Sequence, residues 1–478
     1  MPAHLAGVTS VESNNSPVNP RSATEWWTPR LAGPVIAAAL LRLALLAITL
    51  VRNGSGVLSQ GDTSSYLIPG RNLLLHGRFV ADGAPDLLRT PGYSLFLAAT
   101  SLAGLPAAAL ANLILSVFSV VLVWRLGRTA FGDNRIALGA AWIFAFEPLS
   151  VDLSIALLSE TLFLVFFLLC LERLSAFLQG RRLPVLATAG VWLAAATFVR
   201  PITYYLPVAL AVGLFVSLAR VPGLRWKAPA VLLISVLPWL AAWQIRNWVE
   251  TGYSGFSSAG DESLYSFILP SVISAAEHRN YMAVREGLGT IDFDNNSGQE
   301  YLFQPYLALH PEQAAWSQGQ RLAYMRSEAL RGIRAHYGVY LRLCFRAMLS
   351  QVFYPGGYVD NRLHLIDSAH TAGSADEDAV RSRIMIIEEH PWAAISKLVF
   401  TCMLLGMYLF AVLGVFRTKM HNACLWLLLG TSLYLMALAG TIGQSGGGYR
   451  YRHPVMPVVC ILAAAGFMRK NRSLNTQS

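Results

Sequence analysis

The stretch LAGPVIAAALLRLALLAITLV, residues 31–51, decides the fold class. It is 21 residues long, and its one charged side chain is Arg42. At about 1.5 Å of rise per residue, a helix of that length covers the roughly 30 Å of a bilayer's hydrocarbon core. Working outward, comparable apolar runs recur at 106–126, 136–150, 157–178, 184–199, 202–219, 229–248, 395–416, 422–441 and 454–468, which gives an expectation of ten spans. With 54% hydrophobic and only 13% charged residues over 478 positions, the chain has more apolar side chains than a soluble core can hide. The sequence therefore predicts an all-α polytopic membrane protein.

Charge placement orients the spans. Lys and Arg gather in Arg125, Arg128 and Arg135, in Arg181 and Arg182, in Arg220, Arg225 and Lys227, in Arg417 and Lys419, and in Arg469, Lys470 and Arg472. The positive-inside rule makes those connections cytoplasmic. The net charge of +10 is then mostly topology and requires no nucleic acid. The opposite connections face outward. The expected organisation is a disordered cytoplasmic tail (1–30), an N-terminal transmembrane module (31–249) with a first outer loop (52–105), an extracytoplasmic mostly helical domain (250–394), C-terminal transmembrane helices (395–468) and a cytoplasmic tail (469–478). No small-residue cleavage site follows the first run, so it reads as a retained helix. Within the outer domain, Ala335 to Phe353 is apolar but carries Arg342 and Arg346, which predicts an amphipathic helix on the outer membrane surface. The segment 91–105 reads as a juxtamembrane or re-entrant piece.

The five cysteines stand singly in apolar surroundings and read as small core residues. Neither a zinc-like His set nor a Walker-type phosphate loop is present in the sequence.

The residues that carry chemistry cluster on the outward side. Asp62 precedes a stretch with helical apolar spacing, and reads both as an N-cap and as a catalytic carboxylate. Arg89, in the string Arg89-Thr90-Pro91-Gly92-Tyr93, sits where the chain returns to the membrane. There a guanidinium either meets a lipid phosphate or anchors the loop to headgroups. Glu160, with Asp152 as a nearby second carboxylate, lies at the outer edge of a span. An acid in that position is expensive unless paired, so it belongs to an arginine or to the site. Arg200, Arg246 and Arg450 are further cations near helix ends, and Arg42 inside the first span calls for a buried carboxylate or carbonyl. Gly446 to Gly448 read as a flexible loop or as a backbone approach to a ligand. A divalent metal held by Asp62 and Glu160 is compatible with the donor types.

These residues resemble a known family. Asp62 with Tyr66, the string from Arg89 through Tyr93 to Leu97, Ser159-Glu160-Thr161-Leu162-Phe163, Thr197-Phe198-Val199-Arg200-Pro201, Pro238-Trp239 with Ile245-Arg246-Asn247, and Arg450-Tyr451 with Pro454 and Pro457 occur in family order. The chain resembles the GT-C glycosyltransferases of the protein mannosyltransferase type, relatives of the lipid A aminoarabinose transferase. That resemblance implies a GT-C-type transmembrane helix bundle with an extracytoplasmic loop domain, acting as a membrane glycosyltransferase of the cell envelope in the inner membrane. A hexosyl or pentosyl unit would move from a polyprenyl-phosphate sugar donor to an extracytoplasmic lipid, glycan or protein acceptor, by inverting displacement. Carried over residue by residue, Asp62 is the catalytic carboxylate and Arg89 holds the donor phosphate; Arg246 and Arg450, cations expected on the same outward face, are read as joining Arg89 on that phosphate. Tyr66, Tyr93, Glu160 and Tyr451 support them. Where relatives carry an acidic pair, this chain has Asp62-Thr63. The alternative is a transporter or flippase of a lipid-linked sugar, which also needs arginines for a phosphate but places its charges at the bilayer midplane.

Overall fold

The computed structural model describes residues 27–59, 62–290, 299–354, 391–418, 422–442 and 448–468. The expected tails, apart from residues 27–30 of the first, and Gly446 and Gly447 lie outside the described residues, as do 291–298 and 355–390 of the expected outer domain. Six described helices are long and apolar enough to cross a membrane, the first at Pro29–Asn53. Most of that first span is α1 (Ala32–Asn53). The others are α4 (Leu105–Phe131), α7 (Glu160–Gly180), α10 (Leu224–Thr251) and most of two later helices, labelled α17 (Pro391–Arg417) and α18 (Ala423–Ile442).

The remaining expected spans appear as shorter pieces: α5 (Asn134–Ala145), α8 (Leu183–Val199), α9 (Leu206–Ser217) and α19 (Met456–Phe467). The run 136–150 is broken because Glu147 stands in extended backbone and caps a separate helix, α6 (Pro148–Leu153), with its carboxylate accepting from Leu149 N and Ser150 N. Arg42 satisfies the frayed end of α5. It donates to the Ala145 carbonyl at 2.8 Å and to Ser116 Oγ at 2.8 Å, the kind of partner a buried charge in a span requires.

The core lies around α7, which packs between α4 and α8 and is buried almost all round. The outer helices turn apolar side chains outward, as with Val208, Val212 and Val216 of α9 and Leu398, Leu405 and Leu409 of α17. In water such faces would be a liability; against lipid they need no cover. Cys170, Cys424 and Cys460 are core residues as expected, whereas Cys344 is half-buried and Cys402 exposed.

The expected first outer loop is a helical hairpin. Helix α2 (Thr63–His76) and α3 (Pro91–Thr100) pack closely, joined through β1 (Val80–Ala81) and β2 (Ala84–Pro85). The β-turn is Asp82-Gly83 with φ of 49° and 81°, the positive values a tight two-residue hairpin demands. Gly92, at the start of α3, is fixed by proximity: a β-carbon there would stand 2.6 Å from the Phe198 carbonyl oxygen at the end of α8. The expected juxtamembrane segment is thus a ten-residue helix pressed against α2 and α8.

Beyond α10 come α11 (Ala259–Ser263), α12 (Leu269–Glu277), α13 (Tyr281–Gly287), α14 (Gln299–Leu309), α15 (Gln318–Ala335) and α16 (Tyr337–Phe353). Helix α16 covers the expected amphipathic stretch. Tyr337, Leu341, Phe345, Leu349 and Phe353, spaced by four, form an exposed stripe, while Gln351 is buried and donates to the Ala439 carbonyl of α18 at 2.6 Å.

Candidate active site

Chain direction brings a set of helix ends to one face. Asp62 follows the end of α1, Glu160 opens α7, Arg200 ends α8, and Arg450 precedes α19. Asp62 occupies the N-cap position of α2, yet its side chain makes no capping hydrogen bond. Its Oδ1 instead accepts from Arg89 Nη2 at 2.8 Å. Thr63, next in sequence, donates to the Leu157 carbonyl at 3.2 Å and ties the start of α2 to the segment before α7.

Arg89 is held from several sides. Its Nε donates to Ser65 Oγ at 3.0 Å and its Nη1 to Tyr66 Oη at 3.1 Å, with the guanidinium carbon 4.2 Å from the centroid of the Tyr66 ring. Tyr93 meets that ring edge-on, with centroids 4.9 Å apart. The Tyr66 hydroxyl lies 3.1 Å from Ser159 Oγ, which also accepts from Arg200 Nη1 at 3.4 Å. Arg200 in turn pairs with Glu160 Oε1 at 2.7 Å, and its guanidinium lies 5.5 Å from the centroid of the Tyr451 ring. Arg450 bridges the two carboxylates at longer range, 3.9 Å from Asp62 Oδ2 and 3.8 Å from Glu160 Oε1.

The charges therefore alternate along a row: Arg89, Asp62, Arg450, Glu160, Arg200. Three guanidinium groups against two carboxylates leave one net positive charge. Burial by itself pushes the Asp62 carboxyl up, but the charges of Arg89 and Arg450 and the Arg89 hydrogen bond outweigh it, so it stays below the usual aspartate range. Burial likewise works against the charge on Arg89, Arg200 and Arg450. Their neighbours overcome it and hold all three above the ordinary arginine value: Tyr66 and then Asp62 for Arg89, Glu160 and then Tyr66 and Tyr451 for Arg200, and Glu160 and then Asp62 for Arg450. Asp62 and the three guanidinium groups thus favour one another's charged forms.

Of the residues singled out in the sequence, Asp62, Tyr66, Arg89, Tyr93, Glu160, Arg450 and Tyr451 come together here. Arg246 does not join them. Its Nη2 pairs with Glu250 at 2.7 Å and donates to the Phe79 carbonyl, also at 2.7 Å, while Nη1 reaches the Asp86 carbonyl at 3.1 Å. Those donors are occupied with the loop that carries Arg89. The third cation of the row is Arg200 instead. Its sequence signal was available, since by the positive-inside rule a span that starts at the basic Arg181-Arg182 turn is expected to end on the opposite side, at Arg200-Pro201. Asp152 lies buried on α6.

A divalent metal does not fit this donor set. Both carboxylates are already engaged by guanidinium groups, the row carries net positive charge, and no cluster of three or more His, Cys, Asp or Glu side chains forms among the described residues. An anion with oxygen acceptors is the matching ligand.

Residues 91–243, about a third of the chain, match the family model described as dolichyl-phosphate-mannose-protein mannosyltransferase. The matched segment contains Tyr93, Glu160 and Arg200. No curated protein matches by sequence. Among solved structures, the chain is similar to ArnT from Cupriavidus metallidurans in the apo state, with 12% identity, 91% of this chain and 77% of that chain covered, and a TM-score of 0.37. The same protein bound to undecaprenyl phosphate gives 13% identity, coverage of 91% and 78%, and a TM-score of 0.37. The archaeal oligosaccharyltransferase AglB from Archaeoglobus fulgidus, in complex with an inhibitory peptide and a dolichol-phosphate, gives 14% identity and a TM-score of 0.43; 91% of this chain is covered, but it spans only 50% of AglB. The family match thus runs through the strings that carry the sequence resemblance between Pro91 and Trp243.

Proposed function

We propose that the chain transfers a sugar from a polyprenyl-phosphate donor to an acceptor hydroxyl or amine at the extracytoplasmic face of the inner membrane, by direct displacement with inversion. The observation that carries this reading is the alternating row, in which one carboxylate, Asp62, stands between two arginines at a single face of the helix bundle. The polyprenyl-phosphate ligands of the similar solved proteins, undecaprenyl phosphate with ArnT and dolichol-phosphate with AglB, agree with the proposed donor class.

The chemistry follows from charge. A polyprenyl-phosphate sugar is a phosphodiester with one negative charge, which equals the net positive charge of the row. As the acceptor attacks the anomeric carbon, its proton passes to Asp62, the bond from that carbon to the phosphate oxygen breaks, and polyprenyl phosphate leaves from the opposite face of the sugar. The leaving group gains a second negative charge while protonation of Asp62 gives the row a second net positive one. Charge thus stays matched through the step, which is the condition for stabilising the transition state more than the ground state.

The pairing of Asp62 with Arg89 and Arg450 also has a role in this scheme. Arg89 and Arg450 hold Asp62 below its usual pKa, which makes it a poor base. A donor phosphate competes for the same two guanidinium groups, loosens their hold on Asp62 and raises its basicity when the donor is in place. Arg450 makes only long contacts to its carboxylates, so it is the arginine with least to lose by turning to a phosphate.

The test is purified protein in lipid with a panel of polyprenyl-phosphate sugars, scoring release of polyprenyl phosphate by wild type and by Asp62→Asn. Release by wild type and its loss in the variant is the expected result. Sugar-lipid translocation without release would establish the transporter alternative instead.

A further inference from the structure

The loop that carries Arg89 is built into the outer helical segment as much as into the membrane core. Leu87, two residues before the arginine, is 1% exposed and packs in a hydrophobic cluster whose other buried members are Tyr253, Tyr265, Leu269, Tyr306, Leu322, Met325 and Ala329, all from beyond α10. The backbone on either side is bonded to the same body: Ser258 N donates to the Leu87 carbonyl and Ser257 Oγ to the Leu88 carbonyl, both at 2.8 Å. Ser258 Oγ then donates to Glu262 Oε1 in α11, and Glu262 is buried against this junction. On the membrane side, Asp86 Oδ1 accepts from the Arg89 backbone amide at 2.9 Å, and Arg246 holds the Asp86 carbonyl. Arg89 is thus the tip of a short loop clamped at both flanks. One clamp belongs to α10 and the other to a separate hydrophobic core.

We propose that the outer helical segment is a positioning body for Arg89, with Leu87 as an apolar plug and Glu262, through Ser258, as a polar latch, so that the donor-phosphate site is complete only when the plug is seated. The inference rests on the proposed glycosyl transfer for the identity of the ligand. Its content is a division of labour: neither Leu87 nor Glu262 touches the donor, and both act through the place of the Arg89 guanidinium. Because Arg89 is also the group that restrains Asp62, an unseated plug misplaces a phosphate ligand and an electrostatic partner of the base at once.

The experiment uses the full chain in lipid nanodiscs, with polyprenyl-phosphate sugar as donor and polyprenyl phosphate as a competing ligand. Leu87→Ala and Glu262→Ala, which removes the acceptor of the Ser258 hydroxyl, should each raise the donor KM and the inhibition constant of polyprenyl phosphate about tenfold or more, while kcat at saturating donor stays within about threefold of wild type. Leu87→Met, which refills the plug volume, should restore the wild-type KM. A variant that merely folds less well lowers the active fraction, and so lowers the maximal rate with KM and the inhibition constant unchanged. That outcome, in both Leu87→Ala and Glu262→Ala, would overturn the proposal. Absence of turnover in the wild type is a different failure, that of the transfer reaction itself; polyprenyl phosphate binding, followed by direct titration, still decides whether the plug governs an anion site.

Discussion

Replacing Asp62 with Asn removes one negative charge and leaves the side chain's shape almost unchanged, so it separates the base from the scaffold. Loss of a positioned general base lowers the chemical rate by about 10² to 10⁴, equivalent to roughly 3 to 5 kcal/mol of barrier. The same change should strengthen ground-state binding of the donor, because the row goes from one net positive charge to two. A phosphate held by Arg89 and Arg450 stands on the order of 5 Å from the Asp62 carboxylate, where relief of repulsion is worth about 3 kcal/mol at an effective dielectric of about 20. Asp62 is 37% exposed, and solvent screening reduces that to about 1 kcal/mol, a several-fold gain in affinity. The assay is single-turnover release of polyprenyl phosphate in nanodiscs beside a donor titration. The expected signature is opposite signs: a slower step on a tighter complex. A single-turnover rate within threefold of wild type, or donor binding that weakens as the rate falls, would refute the reasoning, since the first removes the base and the second the charge balance.

Arg89→Lys keeps the charge but loses the planar fork, and should weaken donor binding by about 1.5 to 3 kcal/mol, read as a 10- to 100-fold rise in donor Kd. Glu160→Gln leaves Arg200 buried without its counter-charge and should destabilise the protein by about 3 to 5 kcal/mol in denaturant unfolding; an unchanged midpoint would mean the pair is dispensable. Gly92→Ala forces α3 away from the Phe198 carbonyl and should lose about 1 to 3 kcal/mol of stability together with most activity, both measurable on the purified variant. Glu262 is pushed up to about 7, mainly by burial, with the Ser258 hydroxyl and Arg89 opposing and the Asp86 and Asp261 charges adding to the rise. An acid raised in the folded state makes stability fall as pH rises from its unfolded value near 4.5 to 7. Glu262→Gln should therefore flatten unfolding free energy across that window, by on the order of 2 kcal/mol, and a slope equal to that of wild type would exclude the assignment.

How much of this was legible in the sequence depends on the range of the interaction. The run 31–51 and its counterparts announce a membrane protein because bilayer thickness is fixed, and length with apolarity alone meets it. The basic connections give an expectation of sidedness through the positive-inside rule, which put Asp62, Arg89, Glu160 and Arg450 on one face before any contact was known. Local sequence could also show that Asp62 opens a helix. It could not show that the carboxylate ignores the helix amides and turns to Arg89, because that choice depends on a loop folding back from 27 positions away.

Tertiary structure alone exchanged Arg246 for Arg200. Both are cations near helix ends, and only the packing of α8 against α7 sets Arg200 beside Glu160, while α10 delivers Arg246 to the carbonyls of Phe79 and Asp86. The break of 136–150 into two helices likewise needed Glu147 and Arg42 to satisfy the freed backbone from separate elements. Leu87 is the clearest case: in sequence it is one apolar residue in a polar loop, and its role appears only with the hydrophobic cluster that receives it. Composition and periodicity determined the solvent in which this chain folds and the face on which its charges gather. Which guanidinium meets which carboxylate was decided by helix packing, since ion pairs form at a few ångströms between residues drawn from opposite ends of the chain.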